Sequence, residues 1–128
     1  MECLARGSLD IGRGDIEKIV LTDLGEPVFQ HKGLLEDARV STRYGNISDE
    51  QFVQSLFDEQ YDAVFHLASI VSGHGEQDFD LALGVNLDGT RYLFEGIRHQ
   101  NNNARVVFAS SIASFGGDTM PDLSLIHI

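Results

Sequence analysis

The sequence has one cysteine, no tryptophan and two prolines, and only nine lysine and arginine residues against twenty aspartate and glutamate residues. Each scarcity excludes something. With Cys3 alone, no internal disulfide can form, and a reducing cytoplasmic setting is expected. A formal net charge of −11 opposes the electrostatic footprint of a nucleic-acid binder, so DNA and RNA are not expected partners. A dinucleotide is also anionic, but helix N-termini and backbone N–H groups can hold its phosphates, and acidity leaves it open. No uncharged apolar run approaches the roughly 20 residues of a membrane helix. The opening MECLARGSLD has no apolar signal-peptide core, and no membrane partner is expected. His74 and Glu76 share a loop without an H-E-x-x-H pattern, which fits a solvated loop and gives no metal site.

What is present is ordinary globular material: 42% apolar and 23% charged residues in 128, enough for one domain with a core. The stretch that organises the rest is VVFASSIASFGG, from Val106 to Gly117. Val106, Val107 and Phe108 read as a strand buried on both faces, and Ala109, Ser110 and Ser111 follow where such a strand leaves its sheet. Open α/β sheets bind ligands outside the carboxyl ends of their strands. A serine pair that merely ends a core strand fits the same residues.

Upstream, Gly7, Gly12 and Gly14 follow no strand and precede no helix, so they make no dinucleotide loop. Ile16 to Asp23, IEKIVLTD, reads as a strand ending on an acid before Gly25 and Pro27. An aspartate capping a turn would look the same. Arg39 to Tyr44 reads as a weak strand, and Ser48 with Gln51 forms a capping box for a helix whose Phe52, Val53, Leu56 and Phe57 share one face. Asp62 to Ser69, DAVFHLAS, is the next strand, in which His66 is read as a core histidine with no chemistry. Ile70 to Gln77 is read as a loop. Asp78 to Gln100 is expected to be one long helix, with Phe79, Leu83, Asn86, Thr90, Leu93 and Ile97 facing the sheet. A buried amide without partners costs about 1–3 kcal/mol, so Asn86 on that stripe needs a reason.

Four pieces in this order resemble the NAD-dependent epimerase/dehydratase family of the extended short-chain dehydrogenase/reductases. They are the strand ending at Asp23, D-x-V-x-H-x-A from Asp62, N-x-x-G-T from Asn86, and S-S-x-x-x-F-G from Ser110. The resemblance runs from Ile16 to Gly117, and IVSG followed by E-x-D-F is most similar to the D-erythronate dehydrogenase branch.

The resemblance implies NAD as cofactor and a sugar, nucleotide-sugar or sugar acid as substrate, with a homodimer among the implied assemblies. It implies that Ser111 hydrogen-bonds the substrate oxygen that gains or loses a hydride. Asp23 would bind the adenosine ribose hydroxyls and repel a 2′-phosphate, favouring NAD over NADP. Asn46, where the family has an acid, and Ile47 would contact adenine. Leu67, Ala68 and Ser69 would lie by the nicotinamide-side ribose and phosphates, and Ala109, Ser110 and Asn86 would also lie near the cofactor. Ser72 and Gly73 could touch substrate.

The implied fold is α/β, a partial Rossmann-like doubly wound parallel sheet missing its first strand and C-terminal portion. The family's G-x-x-G-x-x-G loop has no match before Asp23, and Tyr44, Tyr61 and Tyr92 are followed four residues later by Ser48, Phe65 and Gly96 rather than by the family's lysine. Residues 1–122 are therefore expected to be part of an NAD-binding domain from an oxidoreductase, inactive by itself. Residues 123–128, LSLIHI, resemble translated sequencing-adaptor read-through and are expected to be a non-native tail. A non-catalytic NAD-binding sensor is the alternative. A phosphoacceptor domain, suggested by DTMPD, fails because no strand delivers Asp118 and no helix follows Pro121.

Overall fold

The computed structural model describes residues 15–26, 36–100 and 103–111. The early glycines, the FGG end of the serine segment, DTMPD and the 123–128 tail lie outside the described residues.

Apolar, β-branched runs form four short strands. β1 (Ile19–Asp23) and β2 (Val40–Tyr44) pair in parallel, with Ile19 opposite Val40 and Asp23 opposite Tyr44. β3 (Ala63–His66) and β4 (Arg105–Phe108) form a second parallel pair, with Ala63 opposite Arg105 and His66 opposite Phe108. Parallel neighbours require crossover connections. Between β2 and β3 the chain forms α1 (Glu50–Leu56), and between β3 and β4 it forms α2 (Ser72–Gly75), α3 (Phe79–Leu83), a π segment (Gly84–Gly89) and α4 (Thr90–Gln100). This is the α/β pattern of part of a Rossmann-like fold. Among the described residues no strand joins β1 to β3. That gap is where the order 3-2-1-4-5-6 puts the first strand.

Helix α1 shows how local chemistry sets an element. The Asp49 carboxylate accepts the Gln51 and Phe52 N–H groups at 2.9 and 3.3 Å, so Asp49 is the cap. The expected Ser48 capping box does not form, because Ser48 donates from both N and Oγ to Asn46 Oδ1. At the other end Arg43 donates to Ser55 O at 2.8 Å and Tyr61 Oη donates to Leu56 O at 2.7 Å, satisfying carbonyls that a helix end leaves open. Val53 and Leu56 are buried as α1 packs against α4. The fit is close: a Cβ on Gly96 would collide with the Phe57 ring.

Further expectations are corrected here. The expected long helix runs unbroken from Phe79 to Gln100 but contains a π segment, and its buried face matches the predicted stripe only in its second half, at Leu93 with Thr90 and Ile97 half-buried. Phe79, Leu83 and Asn86 are exposed, while Val85, Gly89, Leu93 and Gly96 are buried. A π segment closes i to i+5 rather than i to i+4, so it turns the face that reaches the core. β4 is not covered on both faces either, since Val107 is 47% and Phe108 49% exposed. The loop expected after β3 contains the short helix α2.

Candidate active site

The strand ends assemble the candidate residues in two groups. In the first, Asp23 closes β1, and the Gly45 N–H just past β2 donates to the Asp23 carbonyl at 2.9 Å. Parallel pairing therefore sets Asn46 and Ile47 beside Asp23. The Asp23 carboxylate is exposed and accepts the Leu24 N–H through Oδ1 at 2.7 Å, which orients it and leaves acceptor capacity for ribose hydroxyls. Asn46 forms a local turn: its Oδ1 accepts the Ser48 N–H at 3.0 Å and the Ser48 hydroxyl at 2.6 Å.

The second group lies at the ends of β3 and β4. Ala109 N–H donates to the His66 carbonyl at 3.1 Å, extending the ladder by one bond. Leu67, Ala68 and Ser69 leave β3 on that side, and Ala109, Ser110 and Ser111 leave β4 next to them, all exposed. Gly73 is open, with nothing within 4 Å of an added Cβ, and Ser72 stands before it on α2.

The π segment is the wall common to both groups. Asn86 accepts the Ile70 N–H at 2.8 Å and donates from Nδ2 to the Ile70 carbonyl at 3.0 Å, as a neighbouring strand would. This supplies the reason for an amide at that position: it is exposed, its oxygen and its amino group are both engaged, and it fixes the loop carrying Leu67 to Ser69. On the other flank the Gly89 Cα approaches Ile47 so closely that an added Cβ would lie 3.0 Å from the Ile47 carbonyl oxygen. Only glycine permits that approach without displacement.

Beneath this surface His66 is buried and its Nε2 lies 2.8 Å from Thr90 Oγ1. The Thr90 hydroxyl gives its one proton to the Asn86 carbonyl at 2.7 Å, so it can only accept from His66. The imidazole is thereby held as the Nε2–H tautomer, and burial pushes its pKa below the ordinary value. His66 is a satisfied core residue, as its sequence suggests. Thr90 and Ile70, by contrast, were missed as partners. The visible signal was spacing, since Thr90 lies one turn after Asn86.

Among the described residues no group of three or more His, Cys, Asp or Glu side chains gathers to hold a metal, and no helix is long and apolar enough to cross a membrane.

Comparison with known proteins gives this geometry a lineage. The family model "NAD dependent epimerase/dehydratase family" matches residues 13–126. The chain belongs to the NAD-dependent epimerase/dehydratase family. Within the family it is 41% identical over 120 residues to D-erythronate dehydrogenase of Cupriavidus necator, covering 92% of this chain and 36% of that protein. It is 36% identical over 115 residues to the Haemophilus influenzae protein of the same name, covering 90% and 35%. The solved nucleoside-diphosphate-sugar epimerase of Agrobacterium tumefaciens superposes with a TM-score of 0.75 at 38% identity, over 94% of this chain and 34% of that one. The chain thus spans about a third of the length of these relatives. The family supports an enzyme using a nicotinamide dinucleotide, and the strand-end groups fit such a ligand. An exposed acid ends β1, and glycine at 89 lets the π segment approach Ile47 of the first group closely.

Proposed function

We propose that residues 1–122 form part of the NAD-binding domain of a sugar-acid dehydrogenase acting on D-erythronate or a close relative, with residues 123–128 outside that domain. The observation that carries this is the convergence of both groups on the carboxyl ends of the strands, joined through the π segment by the Asn86 to Ile70 bonds on one flank and the close approach of Gly89 to Ile47 on the other. Asp23 holds the adenosine ribose, Asn46 and Ile47 flank the base, and Leu67 to Ser69 with Ala109 and Ser110 line the path toward the nicotinamide. NAD, when bound, supplies the hydride acceptor. Ser111 orients the substrate hydroxyl, and Ser72 and Gly73 border the substrate. The proton is taken by a tyrosine assisted by lysine, a pair absent from these 128 residues at the required spacing. A homodimer in a reducing cytoplasm belongs to the same proposal.

The test is incubation of the full-length protein with NAD and D-erythronate while the reduced cofactor is followed by absorbance. Reduction dependent on the sugar acid is expected. NAD binding without turnover on any sugar acid would instead favour a sensor.

A further inference from the structure

Asn46 owes its orientation to Ser48. A backbone N–H can only donate, so the Asn46 atom 3.0 Å from Ser48 N must be the carbonyl oxygen, and the Ser48 hydroxyl at 2.6 Å occupies the same atom. The oxygen is spent on the turn. What the exposed side chain can still offer a ligand is its Nδ2 amino group, a donor. Because Gly45 N–H is bonded to the Asp23 carbonyl at 2.9 Å, Asn46 follows directly on the residue paired with the acid at the end of β1, on the side proposed for the base attached to a ribose held by Asp23.

We infer that Asn46 reads the cofactor base as an acceptor, so the site tolerates loss of the base's exocyclic amino group. This rests on the proposed cofactor site. Adenine offers acceptors at N1 and N7 beside its 6-amino donor, and hypoxanthine keeps the N7 acceptor, carries a proton on N1 and puts an acceptor oxygen at position 6. A donor finds an acceptor on either base. A carboxylate at position 46 could make the same two bonds to Ser48 with one oxygen, but its other oxygen would accept from the 6-amino group and face the 6-oxo group with repulsion. The single substitution Asn46→Asp therefore preserves the turn and inverts the polarity shown to the base.

The experiment is calorimetric titration of the full-length protein and its Asn46→Asp variant with NAD and with nicotinamide hypoxanthine dinucleotide. The unmodified protein is expected to bind the two within about threefold. In Asn46→Asp the preference for NAD should widen about tenfold or more, the scale of one mismatched hydrogen bond. A preference of tenfold or more for NAD in the unmodified protein, or an unchanged ratio in the variant, overturns the inference while leaving the cofactor site in place. Failure of both dinucleotides to bind overturns the cofactor reading and the inference with it.

Discussion

His66 Nε2 and Thr90 Oγ1, 2.8 Å apart, tie the last residue of β3 to the first residue of α4. Through the bond from Thr90 to the Asn86 carbonyl, the tie continues into the π segment and from there to Ile70. A strand end and the loop that leaves it are thus held by two polar side chains from one helical run.

Removing the hydroxyl leaves the buried imidazole N–H without an acceptor. Thr90→Val in the full-length protein should cost about 1–3 kcal/mol of stability, the penalty of an unsatisfied buried donor. Thr90→Ser keeps the hydroxyl and should cost clearly less. Urea denaturation of the two variants checks this, and equal losses would assign the effect to the methyl group instead.

Protonation acts on the same residue. His66 has its pKa lowered from 6.5 by burial, so the unfolded chain takes up the proton at higher pH than the folded one. Its contribution to stability is therefore complete above about 6.5, falls as the pH drops below that value, and levels off below the lowered folded pKa. His66→Gln should flatten that part of the profile of unfolding free energy against pH, measured between about pH 8 and about pH 5, roughly one and a half units to either side of an ordinary histidine. An identical slope in the variant would place the titration elsewhere.

Asp23 tests cofactor choice. Its oriented carboxylate should favour NAD over NADP, since charge-assisted bonds are worth about 1.5–3 kcal/mol each and a 2′-phosphate adds repulsion. Asp23→Ser should narrow the ratio of kcat/KM values at least about tenfold. Equal use of both cofactors by the unmodified enzyme would refute the assignment.

Ser110 and Ser111 are adjacent and both exposed, yet only one is expected to meet the substrate oxygen. Ser111→Ala should lower kcat by about 10²–10⁴, the range for a positioned partner in proton transfer. Ser110→Ala should cost much less. A reversed order in the two rate constants would move the role to Ser110.

Four strands, the amphipathic face of α1 and the order of the family pieces were legible from residue types alone. Alternation, β-branched runs and short motifs are properties of neighbouring residues, so Ile19–Asp23, Val40–Tyr44, Ala63–His66 and Arg105–Phe108 form close to where the sequence puts them. The oddity of Asn86 was legible too, because an amide between apolar positions departs from helical periodicity. Its resolution was not. Whether residues 84–89 close as an α or a π turn depends on what the side chains meet, here Ile70 and Ile47, and those lie 16 or more residues away in the chain. The same holds for the cap of α1. Ser48 and Asp49 are both competent by type, and the choice falls to Asp49 because Asn46 has already taken the Ser48 hydroxyl. Sequence determined which groups were available and in what order. Tertiary structure decided which hydrogen bonds they made, because each donor proton can be given only once and proximity across the fold settles where it goes.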